Sequence, residues 1–202
     1  MTAWGRDRDH PRGDVYTVER RTIPARVGLT YADYAALPDD GRRYELHHGT
    51  LSVTPSPGTG HQRVVVSFTT QLAQHVRSRR LGEVFVAPTD CILSGVTVVQ
   101  PDLLYVAAER LSIVSERGIE EAPTLVVEVL SPSTTRIDRE REAMLYAEHD
   151  VPYYWIADPG QCTVEAYGLT GGAYVLTGTV TDEPATLLPF RDLEIDPVAL
   201  WS

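Results

Sequence analysis

Apolar residues recur at helical spacing most clearly after His61, where Val64, Val65, Phe68, Leu72 and Val76 form one stripe. Arg77, Arg79 and Arg80 suit the negative end of the helix dipole and Gly82 follows, so the pattern predicts a helix over 61–80. A second helix is predicted over 137–149, opened by Ser131-Pro132-Ser133-Thr134-Thr135, and a short one over 30–38 with Thr30 as N-cap and Pro38 just past its end. Arg43 to Val53 reads as a hairpin around His48-Gly49, and Thr54 to Gly60 as a loop. Three strand-like runs cover 84–93, 97–106 and 124–130, with 109–121 a helical or irregular link between the last two. Val151 to Ala157 is a short aromatic strand, Asp158-Pro159-Gly160 a turn, and 164–167 with 173–180 a C-terminal β-hairpin around Gly171-Gly172. This order places the chain in the α/β class, with one central mixed sheet flanked by helices.

At 202 residues the length fits one domain, taken as 16–202. Met1 to Val15 is polar, mixed in charge and without apolar periodicity, and reads as a disordered tail. No stretch has the apolar core of a signal peptide or the length to span a bilayer, so the expectation is a cytoplasmic protein with no membrane partner. Cys91 and Cys162 lack metal-ligand spacing; Cys91, in an apolar run, is expected to be a small buried residue. The net charge of −10 argues against nonspecific coating of nucleic acid. It does not exclude a nuclease, because metal-holding carboxylates belong to the acidic count. All 18 basic residues are arginines.

The strongest chemical signal is a pair of carboxylates set in apolar strands: Asp102 in Val98-Val99-Gln100-Pro101-Asp102-Leu103-Leu104, and Glu128 in Leu125-Val126-Val127-Glu128-Val129-Leu130. A buried ionised carboxylate is costly and calls for a cation, a metal or a hydrogen-bond network. If the two strands are neighbours, both side chains can reach one place, and an oxygen-rich site suits Mg²⁺ or Mn²⁺. Alternatively, Asp102 starts a turn after Pro101 and Glu128 pairs with an arginine.

Tyr44-Glu45-Leu46, Pro55-Ser56-Pro57 leading to His61-Gln62, Gln100-Pro101-Asp102-Leu103, Val127 to Thr134, and Tyr153 to Pro159 occur in order. Together they resemble the putative restriction endonuclease (Uma-two) family of the PD-(D/E)XK nuclease superfamily, over about Leu29 to Tyr167. The resemblance implies a restriction-endonuclease-like fold and metal-dependent hydrolysis of phosphodiester bonds in DNA, with a homodimer as the expected working form. It assigns Asp102 and Glu128 as catalytic, metal-binding carboxylates and Glu45 as the upstream acid that completes the site. His61, at the start of the main helix, stands where it can meet metal-bound water or a phosphate, or merely be solvated. His47 and His48 point to opposite strand faces, so at most one joins any site.

The superfamily pattern ends in a lysine two residues after the second carboxylate, where this chain has Leu130. In the family the lysine lies on the following helix, four residues before a tyrosine that corresponds to Tyr146. This chain has Glu142 there and no lysine anywhere. Three outcomes stay open. Arg139, about one turn earlier, restores a cation, though arginine cannot serve as a base. Glu142 adds a carboxylate to the metal site. Or the chain is a catalytically impaired nucleic-acid-binding or protein-interaction module. Arg77, Arg79 and Arg80, with Arg42 and Arg43, are the candidate nucleic-acid contacts.

Overall fold

The structure is a computed structural model that describes residues 16–17, 28–131 and 136–202, with side chains over 28–131 and 139–202. The tail predicted over 1–15 and the lead-in 132–135 to the second helix lie outside them. Along the chain come β1 (Tyr16–Thr17), α1 (Tyr31–Ala35), β2 (Arg43–His47), β3 (Thr50–Thr54), α2 (Thr59–Arg79), β4 (Gly82–Val86), β5 (Cys91–Ser94), β6 (Thr97–Val99) and β7 (Leu103–Ala107). A 3₁₀ turn at Ala108–Ile113 leads to β8 (Val114–Ser115), β9 (Gly118–Ile119) and β10 (Leu125–Val129). Then follow α3 (Arg136–Glu148), β11 (Tyr153–Asp158), β12 (Thr163–Thr170), β13 (Ala173–Val180), β14 (Ala185–Thr186), β15 (Glu194–Ile195) and α4 (Pro197–Trp201).

Several local signals act as expected. Thr30 and Asp33 form a capping box that starts α1, with the Asp33 carboxylate accepting from the Thr30 backbone N–H at 2.8 Å. His48 and Gly49 both have positive φ, 49° and 78°, the conformation a two-residue hairpin turn requires. In α2 the predicted stripe is buried: Val64, Val65, Phe68, Leu72 and Val76 all face the core. This helix ends on Arg80 itself, in the left-handed region at φ 56°, rather than at Gly82.

The central mixed sheet flanked by helices is present, and the structure adds a second large sheet that the pattern does not predict. A seven-stranded sheet runs β1-β13-β12-β11-β10-β7-β4, and a six-stranded sheet runs β3-β2-β6-β5-β9-β8. The predicted strands over 84–93 and 97–106 are each cut in two, and the halves belong to different sheets. Pro88 and Pro101 stand in the gaps, and proline cannot donate to a strand ladder. The link at 109–121 is a 3₁₀ turn followed by the β8–β9 hairpin.

Within the larger sheet β10 and β11 are parallel and joined through α3, while β10 and β7 are antiparallel. Strand alternation sorts the faces of β10. Leu125, Val127 and Val129 pack with Phe68 and Leu72 of α2 on one side. Val126 packs with Ala143, Tyr146 and Ala147 of α3 on the other, and Glu128 shares that second face. The C-terminal segment, for which the sequence pattern makes no prediction, closes over α2: Gln71 Oε1 accepts from the Asp196 N–H at 2.9 Å, and Trp155 Nε1 donates to the Leu188 carbonyl at 2.7 Å. Cys91 is fully buried, and burial pushes its thiol up to about 12. No helix among the described residues is long and apolar enough to cross a membrane.

His149, at the end of α3, stacks on His48 of the β2–β3 turn with ring centroids 6.4 Å apart. Burial, and then the neighbouring His48, lower its pKa below the ordinary histidine value. A depressed folded pKa means that the unfolded chain binds more protons, so stability falls as pH drops below the ordinary histidine value of 6.5. His149→Leu is therefore expected to show a smaller loss of melting temperature between pH 7 and pH 5 than the native chain. Parallel melting curves that fall equally would remove His149 from the acid response.

Candidate functional site

Asp102 follows Pro101 at the point where the chain leaves β6 of one sheet and enters β7 of the other. Only 8% of the residue is exposed. Its Oδ2 accepts the Val129 N–H at 2.9 Å and lies 2.9 Å from Nε2 of His61, on the first turn of α2. Its own N–H points at Glu128 Oε2 at 3.4 Å. Glu128 Oε1 accepts the Tyr146 hydroxyl at 2.6 Å. Glu142 lies one helical turn before Tyr146, on the same side of α3. From β2, Glu45 Oε1 accepts the Gln100 N–H at 2.9 Å and its Oε2 accepts Thr54 Oγ1 at 2.9 Å, with His47 Nε2 at 3.5 Å. Arg43 holds the same strand end by donating to the Gln100 carbonyl at 2.8 Å and to its side-chain Oε1 at 3.2 Å.

These groups line one cleft of about 470 Å³, walled also by the Pro55–Gly58 loop and Ser131. The pairing of β2 with β6, β10 with β7, and β10 with α3 through the parallel crossover converges them. Of the predicted residues, Glu45, His61, Asp102, Glu128 and Glu142 all reach the cleft. Arg139 does not line it; Nη2 donates to Glu165 Oε2 of β12 at 3.0 Å. Arg77, Arg79 and Arg80 lie at the far end of α2. At 1.5 Å per residue, the sixteen residue-to-residue steps from His61 to Arg77 span about 24 Å. Arg79 is paired there with Asp192 at 2.9 Å.

The electrostatics are dominated by crowded negative charge. Burial, then Glu142, then Asp102 hold the Glu128 carboxyl well above the usual carboxylate range, with the Tyr146 hydrogen bond opposing them. Glu45 differs. Burial is again its largest influence and raises it, but the hydrogen bonds from His47, the Gln100 N–H and Thr54 together carry its pKa below the ordinary value.

Residues 31–198 match the Uma2 family, described as "Putative restriction endonuclease". The chain belongs to that family. No curated protein matches it. Among solved structures it is similar to the crystal structure of a putative nuclease belonging to DUF820 from Anabaena variabilis ATCC 29413. The TM-score is 0.68 at 21% identity, over 86% of this chain and 97% of that one. The likeness establishes a nuclease-like α/β fold.

Two positions of this Uma2 protein bear on the lysine that the sequence resemblance leads one to expect, Leu130 and Glu142. Leu130 carries its N–H to the Ala157 carbonyl at 2.8 Å and packs against the α3-side core, so that position contributes no polar group. Glu142 projects a carboxylate into the cleft. Tyr146, Gln100 and Thr54 hold the acidic groups, and no single-residue motif announced them. The spacing of 142 and 146 was the available sign, since residues four apart share a helix face. Tyr146→Phe is expected to lower stability by about 1–3 kcal/mol in urea unfolding, because a buried carboxyl loses its hydrogen-bond donor. An unchanged midpoint and slope would show that this contact contributes nothing to the fold.

Proposed function

We propose that this Uma2 protein is a divalent-metal-dependent nuclease acting on DNA, with Asp102 and Glu128 as metal ligands and Glu45 completing the site. The observation that carries the proposal is the meeting of Asp102 and Glu128, from adjacent strands, in a cleft they share with Glu45 and Glu142. That much negative charge around a buried glutamate favours a cation. The carboxylate oxygens are hard donors, and Mg²⁺ or Mn²⁺ takes one or two carboxylates and fills its remaining positions with water and substrate phosphate oxygens. Among the described residues no group of three or more His, Cys, Asp or Glu side chains is arranged to hold a metal ion, so the proposed ion would rest on the two carboxylates and water.

When bound, the ion supplies Lewis acidity, neutralising charge on the phosphoryl oxygens and making water a stronger acid. The protein's own residues hold the geometry. The Val129 N–H and His61 fix Asp102, the Tyr146 hydroxyl fixes Glu128, and the Gln100 N–H with Thr54 fixes Glu45. Arg43 places a guanidinium on the cleft wall, where it can attract a phosphate without acting as a base. Cutting both strands of a duplex takes two such sites, so a homodimer is the proposed working form.

A second reading is an impaired nuclease that binds nucleic acid without cutting it. Glu142 favours it, since it faces the cleft where the family pattern has a lysine, while Arg139 is engaged by Glu165. Incubating supercoiled plasmid with the native chain in Mg²⁺, in Mn²⁺ and in chelator separates the two. Ion-dependent nicking or linearisation supports the nuclease. A gel shift without cleavage supports the binding module, and neither effect sinks both.

A further inference from the structure

Acidic residues are unevenly placed along the chain. The 37 residues from Leu46 to Gly82 contain no aspartate or glutamate, although the whole sequence has 28 of them and a net charge of −10. The same stretch holds Arg63, Arg77, Arg79 and Arg80. It includes β3, the Pro55–Gly58 loop and all of α2, so one wall of the cleft and the helix leading away from it carry no acid of their own. α2 buries one face in the core and turns Gln62, Arg63, Val66, Thr70, Gln74 and Arg77 to solvent at helical spacing. A solvated helix face ordinarily alternates charges of both signs. Here four uncharged side chains lie between two arginines. Val66 is 63% exposed, and Thr70 Oγ1 donates to the Val66 carbonyl at 2.9 Å, leaving the threonine methyl as the outward group. Neither Arg63 nor Arg77 has an ion-pair partner among the described residues. At the far end of the helix Asp192 holds Arg79 at 2.9 Å, and Glu83 borders the hollow that contains Arg77 and Arg80.

This face is continuous with the proposed metal site. β4 is the last strand of the seven-stranded sheet, and a groove of about 240 Å³ runs between its end and α2. Gln62, Val66 and Thr70 line the helix side, Val86 and Ala87 the strand side, and Asp102 borders this groove as well as the cleft. A polyanion lying along α2 therefore reaches the Asp102 carboxylate past a helix wall that has no negative side chain. The fourteen residue-to-residue steps from Arg63 to Arg77 cover about 21 Å, or about six base-pair steps of a duplex.

We propose that the exposed face of α2 is the surface on which a DNA duplex docks, with Arg63 and Arg77 on backbone phosphates and the uncharged residues between them at a groove of the duplex. Charge selects this occupant. A second copy packed on the same face about a two-fold axis near Thr70 would set the Arg63 of each chain against the Arg77 of the other, whereas phosphates neutralise both. The intervening side chains suit the base edges, since a glutamine amide matches the donor and acceptor of adenine and a threonine methyl meets the methyl of thymine. The proposal rests on the nucleic-acid reading of the cleft and adds to it the surface that holds the duplex.

The test pairs Val66→Glu with Val175→Glu, the same change at an exposed position of β13 on the opposite side of the larger sheet. Both valines face water, so both variants should melt close to the native temperature. Binding of a labelled duplex of about 16 base pairs is followed by fluorescence anisotropy in chelator, between about 50 and 200 mM salt. The expected result is affinity weakened about tenfold or more by Val66→Glu and kept within about twofold by Val175→Glu. Arg63→Ala should lower the slope of log affinity against log salt by about 1, the loss of one phosphate contact. Equal affinities of the two valine variants, or an unchanged slope in Arg63→Ala, would overturn the docking surface while leaving the nucleic-acid reading in place. No duplex binding by the native chain would overturn both. Sedimentation of the DNA-free chain covers the other occupant: a dimer that Val66→Glu dissociates would overturn the docking surface in favour of self-association.

Discussion

Asp102→Asn is expected to abolish ion-dependent plasmid cleavage, with a rate loss of at least about 100-fold, since disturbing even a residue that merely supports a metal ligand costs about 10–100-fold. The substitution removes the charge but keeps a side-chain oxygen for the Val129 N–H, so the fold should survive. Asp102→Ala is the harsher change. It strands the Val129 N–H and the His61 ring, both now bound by Oδ2, and each unsatisfied buried polar group costs about 1–3 kcal/mol. The alanine variant should therefore lose both cleavage and stability, whereas the asparagine variant should lose mainly cleavage. Supercoiled-plasmid kinetics alongside urea unfolding of both variants check the split. Native-rate cleavage by Asp102→Asn would place the chemistry elsewhere in the molecule.

Glu142 carries the second large effect. Its carboxylate is the strongest neighbouring charge acting on Glu128. Swapping it for lysine reverses a charge beside the place where phosphate must sit. A unit charge a few ångströms away in a partly buried site is worth about 3 kcal/mol, so Glu142→Lys should raise cleavage by at least about tenfold. The gain should be larger if the native chain only binds. Glu142→Gln tests the same charge through stability. A carboxyl whose folded pKa is raised stabilises the fold below its unfolded value, and that contribution is lost as pH rises through the folded pKa. In chelator, the native chain should therefore lose melting temperature relative to Glu142→Gln as pH rises from 4.5 toward neutrality, because burial and Glu142 make ionised Glu128 costly. Equal curves at every pH, with no gain in cleavage by Glu142→Lys, would show that residue 142 does not govern the cleft.

The parts legible in the sequence were the parts set by local chemistry. The α2 stripe, the Thr30–Asp33 cap, the His48-Gly49 turn and the Gly171-Gly172 hairpin each depend on residues within a turn or two of one another. The division into two sheets was hidden because apolar residues continue on both sides of Pro88 and Pro101, while partner strands are chosen by distant sequence. Leu103 pairs with Val127, and Cys91 pairs with both Val99 and Ile119. The short α4 carries a start signature, Asp196 followed by Pro197, but five residues are too few for a periodic pattern.

The candidate site divides the same way. Asp102 and Glu128 stood out because a carboxylate in an apolar run demands a reason. Glu45 was the less visible of the three, since a glutamate beside a hairpin is ordinary until β2 pairs with β6 and brings the Gln100 N–H to it. Helical spacing put Arg139 near residue 142, but three residues is only about 300° of rotation, and Glu165 of β12 captures the guanidinium. The cleft keeps its acidity as a result, with Arg43 and His61 its basic residues among those described.

The metal site that Asp102 and Glu128 would form is tested most directly by calorimetric titration of Mn²⁺ into the native chain and into Asp102→Asn, at neutral pH without nucleic acid. The expected result is saturable binding to the native chain that is weakened by at least about tenfold in the variant. Binding of equal strength to both chains, or none to the native chain, would contradict it.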